Sequence, residues 1–133
     1  PLRETWRSVI AGTGTLNQLL QENVLEVRFT RRRPSPDKGP TRRMLCTLCP
    51  EILNSVNGRT VLNYLPPTKP LKFNPTAKNL VMVWDILMQD FRLINGDSCD
   101  LLTTIPGDEK FWEYFNSTIL PMSSDEKAGF MNT

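Results

Sequence analysis

Val24-Leu25-Glu26-Val27-Arg28-Phe29-Thr30-Arg31 is the stretch that decides the fold. Its alternation puts Leu25, Val27 and Phe29 on one side of an extended chain and Glu26, Arg28 and Thr30 on the other. A period of two is the mark of a half-buried strand with its polar side in water. Residues 32–40 hold three Pro and one Gly and read as a loop. Thr41 to Thr47 alternates again, so the two runs predict a hairpin with a long basic tip.

Downstream, Leu80-Val81-Met82-Val83-Trp84-Asp85-Ile86-Leu87 is apolar at nearly every position and reads as a central strand. Gln89-Asp90 turns it into a fourth strand, Phe91 to Asn95. Gly96-Asp97-Ser98 suits a tight turn before a last short strand, Leu101 to Ile105. Trp84 and Phe91 read as core residues.

Helices are expected at both ends. Leu2, Trp6, Val9 and Ile10 share a helical face, and Ala11-Gly12-Thr13-Gly14 ends that helix. Thr15-Leu16-Asn17-Gln18 has the form of a capping box opening a second helix, with Leu16, Leu19 and Leu20 as its stripe and Asn23 as a left-handed stop. Pro50 to Val56 suits a short helix with Pro at its first position, closed by Asn57-Gly58. Asp108 is placed to cap a helix carrying Phe111, Trp112, Tyr114, Phe115 and Ile119, and a last helix starts at Ser123 or Ser124.

Five short strands at close spacing, with helices at the ends and no βαβ alternation, predict a mainly β, α+β protein. The expected form is a small five-stranded barrel or half-barrel in a single domain over 1–133. Residues 1–23 form a helical extension, 24–105 the barrel with a long insert at 57–79, and 106–133 an aromatic, acidic helical tail.

Composition narrows the function. The 133 residues contain no His, which excludes Ser-His-Asp and Cys-His catalysis, imidazole metal ligands and an imidazole pH switch. No apolar run approaches the roughly 18 residues of a membrane span. The start has no signal-peptide core, and Pro1 is the kind of residue left when an initiator Met is trimmed. Three Cys, an odd and sparse number, suit a reducing cytoplasm better than a disulfide framework.

The net charge of +2 hides an asymmetry. Residues 1–96 carry 14 basic and 7 acidic groups, and residues 97–133 carry 2 and 7, so +7 faces −5. Between 28 and 43, Arg28, Arg31, Arg32, Arg33, Lys38, Arg42 and Arg43 stand against Asp37 alone. Guanidinium forks match phosphate oxygens, so this hairpin suits a nucleic-acid backbone. An acidic protein surface, or an edge whose charge deters strand pairing, are the other readings. No aromatic residue interleaves the loop, so it offers no base stacking.

Other candidates are weaker. Cys46-Thr47-Leu48-Cys49-Pro50 has redox spacing at a helix start, but Cys46 alternates in phase with Met44 and reads as a buried thiol. Only Cys99 remains to join a zinc site that needs four ligands, so no metal and no cofactor are expected. Asp85, Asp90 and Asp97 sit at strand ends and turns rather than as an acid–base pair. Phe111, Trp112 and Phe115 are placed either to cap an open end of the barrel or to dock on a partner.

Three segments together resemble a known family. Val24–Thr30 with Arg42-Arg43-Met44-Leu45-Cys46-Thr47, then Val81-Met82-Val83-Trp84-Asp85, then Phe91-Arg92 with Asp97-Ser98-Cys99-Asp100-Leu101-Leu102, are similar to the WYL-like small-barrel proteins of tailed phages. The resemblance covers about residues 15–105 and implies an Sm-like or SH3-like barrel. It brings no catalytic residues and implies binding. The expected role is a non-enzymatic phage accessory protein of the host-cell cytoplasm. Its Arg-rich hairpin would bind nucleic acid or the transcription or replication machinery. The alternative is an interaction or virion-structural adaptor that docks by the 57–79 arm and the tail.

Overall fold

The computed structural model describes residues 13–36, 39–68, 80–96 and 99–132. The chain runs α1 (Thr13–Glu22), β1 (Asn23–Ser35), β2 (Gly39–Thr47), α2 (Pro50–Leu53), α3 (Val56–Thr60), β3 (Leu80–Asp85), β4 (Asp90–Asn95), β5 (Cys99–Pro106), α4 (Glu109–Tyr114, continued by a π turn Phe115–Ile119) and α5 (Ser124–Met131). The expected 2–10 helix, the 69–79 part of the arm, Lys38 and Asp97-Ser98 lie outside the described residues.

The strands form one antiparallel sheet in the order β4-β3-β2-β1-β5. The fold class is therefore the mainly β, α+β arrangement expected, but the sheet is not closed into a barrel. Helices on both faces explain this: the sheet buries its apolar sides against them without wrapping onto itself. On one face, Leu16 and Leu20 of α1 pack with Leu25, Val27, Met44, Cys46, Val81, Val83, Ile94 and Leu101. On the other, Val24, Leu45, Trp84 and Ile105 pack with Ile52, Leu53, Phe111, Phe115, Ile119 and Phe130 from α2, α4, its π turn and α5. Each such fully buried side chain contributes about 1.5–3 kcal/mol of transfer free energy.

The second layer corrects the half-buried reading of β1. The side carrying Glu26 and Arg28 lies under the C-terminal helices, and Glu26 is only 8% exposed. The periodicity gave the right facing for Leu25 and Val27 but could not show that both faces are covered.

Several boundaries also move for identifiable reasons. The hairpin tip is short, because pairing continues to Ser35↔Gly39 and a register shift between Thr30 and Ser35 accommodates Pro34, which has no N–H. Helix α1 begins at Thr13, so Thr15 lies inside it rather than capping it. Asn23 closes α1 with its side chain, Nδ2 donating to the Leu19 carbonyl at 3.0 Å, and enters β1 directly. Asn57-Gly58 does not close a helix but lies within α3. A Cβ at Gly58 would fall 2.1 Å from the Ile52 carbonyl oxygen, so only Gly permits that approach.

Strand β3 stops at Asp85 rather than Leu87. Its carboxylate accepts from the Met88 amide at 3.1 Å and its carbonyl from the Gln89 amide at 2.8 Å, which closes the turn. Asp108 caps α4 as expected, accepting from the Lys110 amide. Ser123 and Glu126 form a reciprocal capping box at α5.

Candidate nucleic-acid interface

The seven nominated basic residues do not form one patch. Arg31 and Arg42 come together, and Arg92, not nominated from the sequence, joins them. The three line a cavity of about 400 Å³ with Met88, Met131 and Asn132. Arg31 comes from β1, Arg42 from β2, Arg92 from β4, Met88 from the β3–β4 turn, and Met131 and Asn132 from the end of α5.

Each guanidinium is held from behind. Arg31 donates to the Thr41 carbonyl and to Asn132 Oδ1, both at 2.7 Å. Arg42 pairs through Nη2 with the buried Asp85 carboxylate, and the same nitrogen lies 3.8 Å from Met131 Sδ. Arg92 Nη1 reaches Asp90 at 3.0 Å and the Phe91 carbonyl at 2.8 Å. The arginines crowd one another electrostatically. Arg31 is pulled below its ordinary pKa, first by desolvation and then by the nearby Arg42 charge. In return, the Arg92 guanidinium and the Phe91 amide hold Asp90 below the usual carboxylate range.

Sheet register explains the convergence. Among the described residues, β2 and β3 pair only at Cys46↔Asp85 and Thr47↔Trp84, and β3 returns as β4 through Asp85↔Asp90. Asp85 therefore stands where β2, the β3–β4 turn and β4 meet, and it draws Arg42 toward Arg92. The sequence carried one signal for Arg92: it lies two residues beyond Asp90, at the start of the strand that leaves that turn.

Arg28 and Arg43 lie elsewhere. They face each other across β1 and β2, on the side covered by the C-terminal helices. The Arg43 guanidinium carbon stands 3.8 Å from the Phe130 ring centroid, a cation–π contact. The Nε atoms of both are buried with no hydrogen-bond partner among the described residues. Burial, and then Glu26, push the nearby Tyr114 hydroxyl up, while Arg43 opposes them. Both are partly exposed, beside the C-terminal helices and apart from the Arg31–Arg42–Arg92 cavity. The strand backbone carries Arg32 and Arg33 beyond Arg31 toward the tip.

The nominated tail residues divide. Phe111 is fully buried and Phe115 is 5% exposed, so both are core and are corrected as docking residues. Trp112 is half-buried and lines an acidic cleft of about 560 Å³ with Glu51, Asp108, Glu109 and Glu113. Trp84 is buried as expected and Phe91 is half-buried; the two rings meet edge to face at 5.0 Å, and Tyr64 from the arm lies 5.2 Å from Trp84. Cys46 and Cys99 lie in one apolar cluster and Cys49 in the other, all as buried free thiols. Burial pushes Cys46 well up and Cys99 to about 12, which leaves neither thiol nucleophilic near neutrality.

Comparisons with known protein families, with curated proteins and with solved structures give no match. No helix among the described residues is long and apolar enough to cross a membrane.

Proposed function

We propose that the protein is a non-enzymatic phage accessory protein that binds nucleic acid through its arginine hairpin. The observation that carries this reading is the meeting of Arg31, Arg42 and Arg92 at one cavity whose lining, among the described residues, holds no carboxylate. Concave cation clusters of this kind suit phosphodiesters, which offer a planar fork two non-bridging oxygens that share one negative charge. The backbone of β1 leads on from Arg31 to Arg32 and Arg33.

We further read the open sheet as a small barrel of the Sm-like or SH3-like kind that its sequence resembles. The order β5-β1-β2-β3-β4 supports this: four consecutive strands lie side by side, and the fifth returns to the first.

The test is binding of labelled single- and double-stranded DNA and RNA at low salt, followed by fluorescence anisotropy. Binding that Arg31→Ala with Arg32→Ala and Arg33→Ala weakens is the expected result. No binding to any of the four at low salt would remove this reading and leave the protein-adaptor alternative.

A further inference from the structure

The cavity at Arg31, Arg42 and Arg92 is more than a stretch of positive edge. At about 400 Å³ it falls in the range of roughly 300–1,000 Å³ typical of small-ligand sites. An edge that only attracts a backbone needs no concave volume of this size. Its walls are also of two kinds. Guanidinium groups come from three strands, while the thioethers of Met88 and Met131 supply soft apolar surface.

The donors are pre-set. Arg42 spends Nη2 on Asp85, and Arg92 spends Nη1 on Asp90 and the Phe91 carbonyl. A guanidinium has five N–H donors, so both keep donors for a further acceptor while their orientation is already fixed. Fixing side chains before a ligand arrives lowers the entropic cost of binding. Arg31 adds a third positive charge, positioned by the Thr41 carbonyl and Asn132.

A phosphomonoester answers this arrangement better than an internal phosphodiester. It carries close to two negative charges near neutrality and three terminal oxygens, enough for forks arriving from different strands. The attached sugar and base would then lie against the methionines.

We propose that this cavity is a binding site for the terminal phosphate of a nucleotide, either free or at the end of a nucleic-acid strand. The proposal deepens the nucleic-acid reading and rests on the same phosphate chemistry, but it assigns a discrete pocket rather than a charged surface.

Isothermal titration calorimetry separates the two. The probes are adenosine monophosphate, inorganic phosphate, and one short oligonucleotide prepared with a 5′-phosphate and with a 5′-hydroxyl. Adenosine monophosphate is expected to bind, and more tightly than inorganic phosphate. Arg92→Gln is expected to weaken it by about tenfold or more, the loss of charge-assisted hydrogen bonds. Arg92 is one-third exposed, so this variant should keep the wild-type melting temperature, which is measured alongside. Preference for the 5′-phosphorylated strand over its hydroxyl twin identifies the strand end as the source. Binding of the mononucleotide without that preference identifies the free nucleotide.

Absence of adenosine monophosphate binding at millimolar concentration, together with equal binding of the two oligonucleotides, overturns the pocket but leaves the nucleic-acid reading standing. Mononucleotide binding that Arg92→Gln does not change also overturns it. Mononucleotide binding with neither oligonucleotide bound keeps the pocket and removes the nucleic-acid reading. Failure of every probe removes both.

Discussion

The molecule has a basic concavity at one place and an acidic cleft at another, and the two are built differently. In the acidic cleft, the carboxylates of Asp108 and Glu109 sit at the start of α4. Free amides there offer them hydrogen bonds and a favourable dipole. Asp108 in fact accepts from the Lys110 amide. Local helix chemistry thus accounts for much of that charge. In the basic concavity no local rule brings the arginines together. They come from β1, β2 and β4, and each is held differently: Arg42 by the buried Asp85, Arg92 by Asp90 and the Phe91 carbonyl, Arg31 by Thr41 and Asn132. Charge that secondary structure explains needs no ligand; charge that only the tertiary fold assembles points to one.

The two regions also bear on the +7 and −5 halves of the chain. Helix α5 meets the hairpin through Phe130, Met131 and Asn132, none of which is charged. Its acidic residues Asp125 and Glu126 lie at the opposite end, in the first turn. Among the described residues, the C-terminal segment therefore shapes the basic cavity without placing a carboxylate in its lining.

The largest expected effect tests whether the helix at the acidic end is core. Phe111→Ala removes a fully buried ring at the centre of the second apolar layer and should cost about 3–5 kcal/mol in urea unfolding. A loss below about 1 kcal/mol would mark the helix as a peripheral element, since surface changes fall in that range.

Next is Asp85→Asn, which tests whether the basic cavity is built rather than merely solvated. Arg42 is 15% exposed and Asp85 1% exposed, so the variant leaves a largely buried cation without its partner, at a cost of about 3 kcal/mol. Unchanged stability would mean that Arg42 reaches water easily and that the cavity is not pre-organised.

A smaller effect concerns the buried thiols of the layer under α1. Cys99 titrates ordinarily near 9 and is held at about 12 in the fold, chiefly by burial and then by Asp100. Cys46 is raised in the same direction, as is Tyr114. The unfolded chain therefore loses these protons before the folded one does. Stability from this source is complete below pH 9 and falls as pH rises toward 12. Urea unfolding followed between pH 8 and 11 should show the decline, and Cys99→Ala should flatten it.

Much of the fold was legible because it rests on local patterns. Alternation in Val24–Phe29 gave the facing of β1, and Asp108 and Ser123 announced their helices. The second layer was not legible. Glu26 and Arg28 read as solvated because a polar side chain says nothing about a helix that arrives from a hundred residues away. For the same reason, Phe111 and Phe115 read equally as a cap on the barrel or as docking residues. The site was half legible. Composition singled out the hairpin, but Arg92 depended on the β2–β3 register at Cys46↔Asp85, a pairing that no local signal specifies. The same cross-sheet geometry sets Arg28 against Arg43, beside Phe130 and apart from the basic cavity.

One measurement tests the central claim most directly: the salt dependence of nucleic-acid binding for three proteins side by side. They are the wild type, the Arg31→Ala/Arg32→Ala/Arg33→Ala variant, and a Glu51→Gln/Glu109→Gln/Glu113→Gln variant at the acidic cleft. Each phosphate contact contributes about 0.9 to the log–log slope for duplex DNA and about 0.7 for single strands. The arginine variant should lose roughly two to three units of slope, while the glutamate variant should keep the wild-type value. Equal slopes for the wild type and the arginine variant would contradict the account.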